Sequence, residues 1–237
     1  YQWLDKWVDT IVKKDPKHIG ISVFSWQSQR FTRDLLTRLR SKTSAVIHIG
    51  GQGLVHNQNL SAHWANKVTF AWELLDNNLI DYFMKGESEE TFKRYMLGDR
   101  TLPGLNNDSV VKFSDLDTMA LPDYTDLDVT EYQNGYEKGV LPIESSRGCV
   151  RSCSFCEMSS EHGKYRGKSG VSIAEEMIAY YDKYGVKDFY FHDDLMNGNL
   201  KDLNDMVDCL LDYYDKNALG DAYFSFSGYW IIRSEKN

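Results

Sequence analysis

Residues 146–156 read SRGCVRSCSFC, and this stretch decides how the chain is understood. Three of its four cysteines, Cys149, Cys153 and Cys156, fall in this window with the spacing C-x3-C-x2-C. The cysteines follow a short strand pattern, Leu141 to Ser145, and a glycine, Gly148. A disulfide reading leaves one thiol over and gives no reason for three. Thiolates are soft ligands that suit iron-sulfur clusters or zinc. Three of them can hold three corners of a cubane cluster and leave one iron open to a substrate. A zinc site needs a fourth ligand, and His162 would make the pattern C-x3-C-x2-C-x5-H, which departs from the usual finger spacing.

Downstream the pattern alternates helix and strand. Ser172 to Tyr184 reads as a helix with Ser172 as its cap, Glu175 as capping-box partner and Gly185 at its end. Lys187 to His192 reads as a strand. Leu200 to Tyr214 reads as an amphipathic helix, with Leu203, Met206, Val207, Leu210 and Leu211 on one side and Cys209 as a core thiol on the apolar face. Tyr223 to Ile232 reads as a further strand. Asp193 and Asp194 end a strand at the carboxyl edge, where barrel positions tend to be functional. The alternatives for the pair are helix capping or a solvated turn. His192 beside them does not make a metal site, because adjacent strand residues face opposite ways. Arg147 and Arg166 flank the cysteine window and are suited to pairing with carboxylates.

Upstream, the first hundred residues alternate too. Tyr1 to Lys13 has helical spacing, and Asp15-Pro16 ends it. His18 to Ser25, Ala45 to Ile49 and Leu79 to Met84 read as buried strands. Phe31 to Leu39, about Ser61 to Leu75, and a helix capped by Ser88 and running through Leu97 lie between or after them. Apolar strands alternating with helices imply a parallel sheet covered on both faces, a doubly wound, Rossmann-like layer. Such sheets bind ligands at the carboxyl ends of their strands. Here those ends are Trp26-Gln27-Ser28, Gly50 to Gly53, and Gly86-Glu87. The glycines taken alone are equally well a plain strand-to-helix turn.

Gly98 to Gly139 carries prolines, asparagines and many aspartates with little periodicity. It is expected to be a connector whose acidic residues are solvated. The expected organisation is therefore 1–100, a Rossmann-like domain; 101–140, a connector; and 141–237, a second strand-helix domain.

The 237 residues carry 42% hydrophobic and 14% aromatic residues, with 4 Pro and 17 Gly, which excludes disordered and low-complexity classes. No apolar run approaches the roughly 18 residues of a membrane helix. The net charge of -8 argues against a general polyanion partner such as nucleic acid. The chain starts at Tyr1 without an initiator Met or leader and stops at Asn237 after a strand-like run, so it is expected to be a piece of a longer protein.

The C-x3-C-x2-C motif with Phe155 before its last Cys resembles the signature of the radical S-adenosylmethionine (SAM) superfamily. Arg147-Gly148-Cys149, the run Lys164 to Ser169, and the strand ending Phe191-His192-Asp193-Asp194 are similar to the subgroup in which a cobalamin (B12)-binding domain precedes the radical SAM barrel. Ile19-Gly20-Ile21-Ser22, Ile49-Gly50-Gly51 and Asp81 to Glu87 resemble that subgroup's first domain. The resemblance implies an α/β chain: a Rossmann-like domain lacking its first strand, then the first part of a partial (β/α)6 barrel. It implies a [4Fe-4S] cluster on Cys149, Cys153 and Cys156, SAM chelating the open iron, and one-electron cleavage of SAM to a 5'-deoxyadenosyl radical that takes hydrogen from a substrate. Phe155, Arg166, Asp193 and Asp194 would contact SAM, with plain packing as the alternative for Phe155. Ser22, Gly50, Gly51, Gly86 and Glu87 would meet cobalamin, although the D-x-H-x-x-G motif that supplies a lower cobalt ligand is absent. The resemblance also implies a small-molecule or peptide substrate, an electron donor such as flavodoxin or ferredoxin, and a cytoplasmic setting. The other classes are a zinc or iron-sulfur structural module and an RNA-modifying methylthiotransferase. The latter is disfavoured because no further Cys precedes Cys149.

Overall fold

The structure is a computed structural model that describes residues 2–54, 69–131, 133–134, 137–151, 153–154, 156, 164–217 and 223–230. It divides into two compact units, Tyr1–Phe113 and Ser114–Asn237. No helix among the described residues is long and apolar enough to cross a membrane.

In the first unit, helices α1 (Gln2–Lys13), α2 (Gln29–Arg40), α3 (Thr69–Asp76) and α4 (Glu89–Met96) surround strands β1 (His18–Ser22), β2 (Val46–Gly50) and β3 (Tyr82–Phe83). The strands form one parallel sheet in the order β1-β2-β3, with Ile19 opposite Ile47 and Ile49 opposite Phe83. Alternation along β2 sends its residues to two faces. Ile47 and Ile49 join Leu4 and Val8 of α1 and Leu35, Leu36 and Leu39 of α2 in one core. His48 instead meets Tyr95 of α4, and burial together with the neighbouring His18 lowers its pKa. The strands thus read as continuous apolar runs because both faces are covered. Ser88 does not cap α4 with its side chain; its hydroxyl donates to the Gly86 carbonyl instead.

The expected connector is divided between the units. Leu102 and Leu105 are buried with Tyr95, the Lys85 N–H donates to the Gly104 carbonyl, and the Glu87 N–H donates to Val111. This part extends the carboxyl edge of the first sheet. The part after Ser114 belongs to the second unit, and two of its acids are engaged rather than solvated. Asp117 accepts from the Ser169 N–H at 2.8 Å, and Asp123 accepts from Lys183 at 2.9 Å and from the Tyr184 hydroxyl at 2.9 Å. Hydrogen bonds from Thr125 and Lys183 hold the Asp123 carboxyl well below the usual range.

In the second unit, β4 (Gln133–Asn134) and β5 (Glu137–Lys138) pair as a two-stranded ribbon. Strand β6 (Val140–Ile143) leads to β7 (Ser146–Arg147), which pairs antiparallel with β8 (Arg166–Gly167). Helix α5 (Gly170–Tyr184), β9 (Asp188–Phe191), α6 (Leu200–Asn217) and β10 (Ser225–Ser227) follow. The main sheet is parallel in the order β10-β9-β6. Leu141, Ile143, Phe189 and Phe191 pack on Ile173, Ala174 and Met177 of α5 and Met206 and Leu210 of α6. The cap of α5 is Ser169, whose hydroxyl accepts from the Ser172 N–H at 3.2 Å, so the helix starts two residues before Ser172. Gly185 ends it with φ 69°, the left-handed conformation that glycine adopts without penalty.

Gly51 shows what the glycine cluster does. Its φ is 99°, and a Cβ there would lie 2.6 Å from the Val23 carbonyl oxygen. The same two loops are zipped by Val23 N–H to Gly50 O at 2.7 Å and Gly53 N–H to Val23 O at 2.8 Å. Gly51→Ala is therefore expected to destabilise the first unit by about 1–3 kcal/mol through strain and a backbone clash. Urea denaturation checks this, and a loss below about 0.5 kcal/mol would contradict the close approach.

Candidate functional site

The cysteine loop grows from the carboxyl end of β6. Glu144 and Ser145 follow the strand, β7 pairs Ser146 with Gly167 and Arg147 with Arg166, and Cys149 bridges to Lys164. Gly148 turns the chain into the loop with φ 78°. The loop is thus a long excursion closed at its base by a short antiparallel ladder. Cys149 is half-buried, Cys153 and Cys156 are exposed, and all three are free thiols. The Arg151 N–H donates to the Cys149 sulfur at 3.4 Å, and the Cys156 N–H donates to the Cys153 carbonyl at 3.1 Å. The three thiols share one loop. Among the described residues, however, no three His, Cys, Asp or Glu side chains are already drawn together at ligand spacing. Phe155 and His162 lie outside the described residues.

Both feet of the loop are anchored to buried charge. At the first foot Asp193, just past β9 and 2% exposed, accepts four hydrogen bonds. Its Oδ1 takes the Ser145 N–H at 3.0 Å, the Ser146 N–H at 2.5 Å and the Ser146 hydroxyl at 3.0 Å, and its Oδ2 takes the Ser145 hydroxyl at 2.6 Å. Burial pushes this carboxyl up against those bonds, which favour its charged form. At the second foot Lys168 donates its backbone N–H to the Ser145 carbonyl at 2.8 Å. Its ammonium meets Glu176 of α5 at 2.5 Å, with side chains 6% and 3% exposed. The Tyr180 hydroxyl donates to the other Glu176 oxygen at 3.0 Å, and burial beside that carboxylate raises the Tyr180 pKa. A small cleft between the feet, lined by Ser145, Tyr165, Lys168 and Asp202, has room for about one water molecule, far short of a nucleoside.

The remaining expected residues fall in different settings. Arg147 is buried and clamps Glu144 through its Nε and one terminal nitrogen, both at 2.9 Å. Arg166 lies half-buried opposite it in the ladder. Asp194 and His192 are exposed, and Cys209 packs against the second core. Asp193 accepts from Ser145 and Ser146, which the sequence alone did not single out, nor Lys168, Glu176 or Tyr180. One signal was present. Glu176 falls on the stripe of α5 that carries Ile173, Met177 and Tyr180, where a lone acid needs a buried partner.

Of the five residues expected to meet cobalamin, three lie against other parts of the first unit. The space at Gly51 is filled by Val23, and a Cβ on Gly86 would lie 2.4 Å from the Val111 carbonyl oxygen. Glu87 accepts from the Phe113 N–H at 2.7 Å. Ser22 stays exposed at the end of β1, and the Met84 carbonyl oxygen lies 3.6 Å from the Cβ position of Gly50. Phe24 and Trp26, 83% and 36% exposed, follow β1 at the same edge.

No family model matches the chain. It is 31% identical over 153 residues to an uncharacterized methyltransferase of Pyrococcus horikoshii, covering 56% of this chain and 33% of that one. It is 30% identical over 76 residues to the cytidylyl-2-hydroxyethylphosphonate methyltransferase of Streptomyces wedmorensis, covering 31% and 14%. It is 25% identical over 131 residues to the anaerobic magnesium-protoporphyrin IX monomethyl ester cyclase of Synechocystis, covering 48% and 26%. The chain thus spans a third or less of these relatives. Among solved structures it is similar to the radical SAM methyltransferase TsrM of Kitasatospora setae with tryptophan and a SAM analogue bound, at TM-score 0.53 and 18% identity, over 93% of this chain and 44% of that one. It matches TsrM with cobalamin and a [4Fe-4S] cluster bound at TM-score 0.50 and 18% identity, over 87% and 42%. The two parallel α/β units of this chain share their fold with TsrM, which was solved once with a SAM analogue and once with cobalamin and a [4Fe-4S] cluster.

Proposed function

We propose that the chain is part of a radical SAM enzyme and that the loop carrying Cys149, Cys153 and Cys156 is its cluster site. The observation that carries this is a loop of three free thiols at the carboxyl end of a parallel sheet, with both feet held by buried charge. The donor set fits a [4Fe-4S] cluster: three soft sulfur ligands on one loop, with one iron left for SAM. When bound, the cluster supplies the single electron that cleaves SAM. The chain's own part is to hold the thiols, keep Arg147 and Glu144 paired beside the loop, and offer the exposed Asp194 as an acceptor at the same edge.

Methyl transfer is the reaction we infer, because TsrM and two of the three curated relatives carry that activity in their names. Cobalamin belongs to the same reading through the resemblance of the first domain and through TsrM. Gly51, Gly86 and Glu87 are engaged within the chain, so no step is assigned to them. Among the described residues, the edge at Ser22 and Gly50, beside the exposed Phe24 and Trp26, is where a flat macrocycle would lie.

Anaerobic reconstitution with iron and sulfide tests the cluster site. The expected result is about four irons per chain. One tightly held zinc and no cluster would replace this reading with the zinc module.

A further inference from the structure

Asp193 and the loop it borders are far apart in sequence and joined in space. Forty-seven and forty-eight residues separate its carboxylate from the two serines it grips. Those serines are the last residues before Arg147-Gly148-Cys149. Their backbone N–H groups both point at one oxygen, so the carboxylate fixes two successive peptide planes. A buried acceptor that meets four donors is a rigid joint, because each donor left unmade in this dry setting is costly.

We propose that Asp193 is a positioning residue for the cysteine loop: by holding Ser145 and Ser146 it sets the direction in which Gly148 delivers Cys149. The cluster readouts below rest on the radical SAM reading; the amide readout does not. The proposal is an alternative to direct contact between Asp193 and the SAM amino group: three of the four donors described at its carboxylate crowd Oδ1 and the fourth takes Oδ2, all from Ser145 and Ser146.

Asparagine discriminates the two roles. Three of the four donors fall on Oδ1, which Asp193→Asn retains. The fourth is the Ser145 hydroxyl, which can turn and accept from the new amide N–H. Positioning therefore survives the loss of charge, whereas binding of an ammonium does not.

The experiment compares the wild-type chain with D193A and D193N by three readings. These are amide exchange at Ser145 and Ser146 without metal, iron content after reconstitution, and the reduced EPR signal with and without SAM. D193A is expected to exchange those amides at least about tenfold faster. It is also expected to load less than half the wild-type iron, while D193N matches wild type in all three readings. Wild-type exchange and iron content in D193A would overturn the proposal. So would a D193N chain that loads its cluster but no longer answers to SAM, which would return Asp193 to the SAM amino group. If D193A also loses amide protection across α5, the double variant Ser145→Ala/Ser146→Ala carries the test, since it removes only the hydroxyl donors. Intermediate iron content supports the proposal there, and an unchanged value overturns it. A wild-type chain that takes up no cluster sinks the radical SAM reading, and the amide exchange then decides the positioning claim by itself.

Discussion

Replacing any one of Cys149, Cys153 and Cys156 by Ala is expected to drop bound iron from about four per chain to near zero and to abolish SAM cleavage. The three are not redundant. The loop offers three thiols for three corners, so none is spare. Cys209→Ala is the control: its thiol packs against the second core on α6, away from the loop in sequence, and its loss should leave iron content unchanged. Iron and sulfide analysis after anaerobic reconstitution checks all four variants. Retention of a full cluster by one of the three loop variants would contradict the ligand set.

Lys168→Ala is expected to destabilise the second unit by about 3–5 kcal/mol at neutral pH, because it strands the buried Glu176 carboxylate. Only the Tyr180 hydroxyl would then face that acid among the bonds described for it. The pair Lys168→Met/Glu176→Leu should recover most of the loss, since an apolar replacement leaves no orphaned charge. Urea denaturation measures both variants. A loss below about 1 kcal/mol for Lys168→Ala would mean that the pair is solvated and does not anchor the loop.

The alternation of apolar runs with helical stripes was enough to expect parallel α/β units, because buried strands and amphipathic helices differ in period over short windows. The cysteine spacing was legible for a similar reason: ligands on one loop are close in sequence. What escaped the sequence was everything that depends on distant partners. Asp193 and the serines it holds are joined only by the fold, as are Lys168 and Glu176. Gly51 and Gly86 each lie close to the chain's own backbone, at Val23 and Val111. A glycine motif says that something approaches closely, not whether it is a cofactor or the chain itself. The aspartates after Ser114, expected to be solvated, include two that are engaged: Asp117 and Asp123 tie the loop segment to the two ends of α5.

The most direct test of the account is the EPR spectrum of the anaerobically reconstituted, reduced chain recorded with and without SAM. The account predicts a reduced [4Fe-4S] signal that changes when SAM is added, because one iron lacks a protein ligand and SAM reaches it. A fully loaded cluster whose signal ignores SAM, or a chain that binds zinc and forms no cluster, would contradict it.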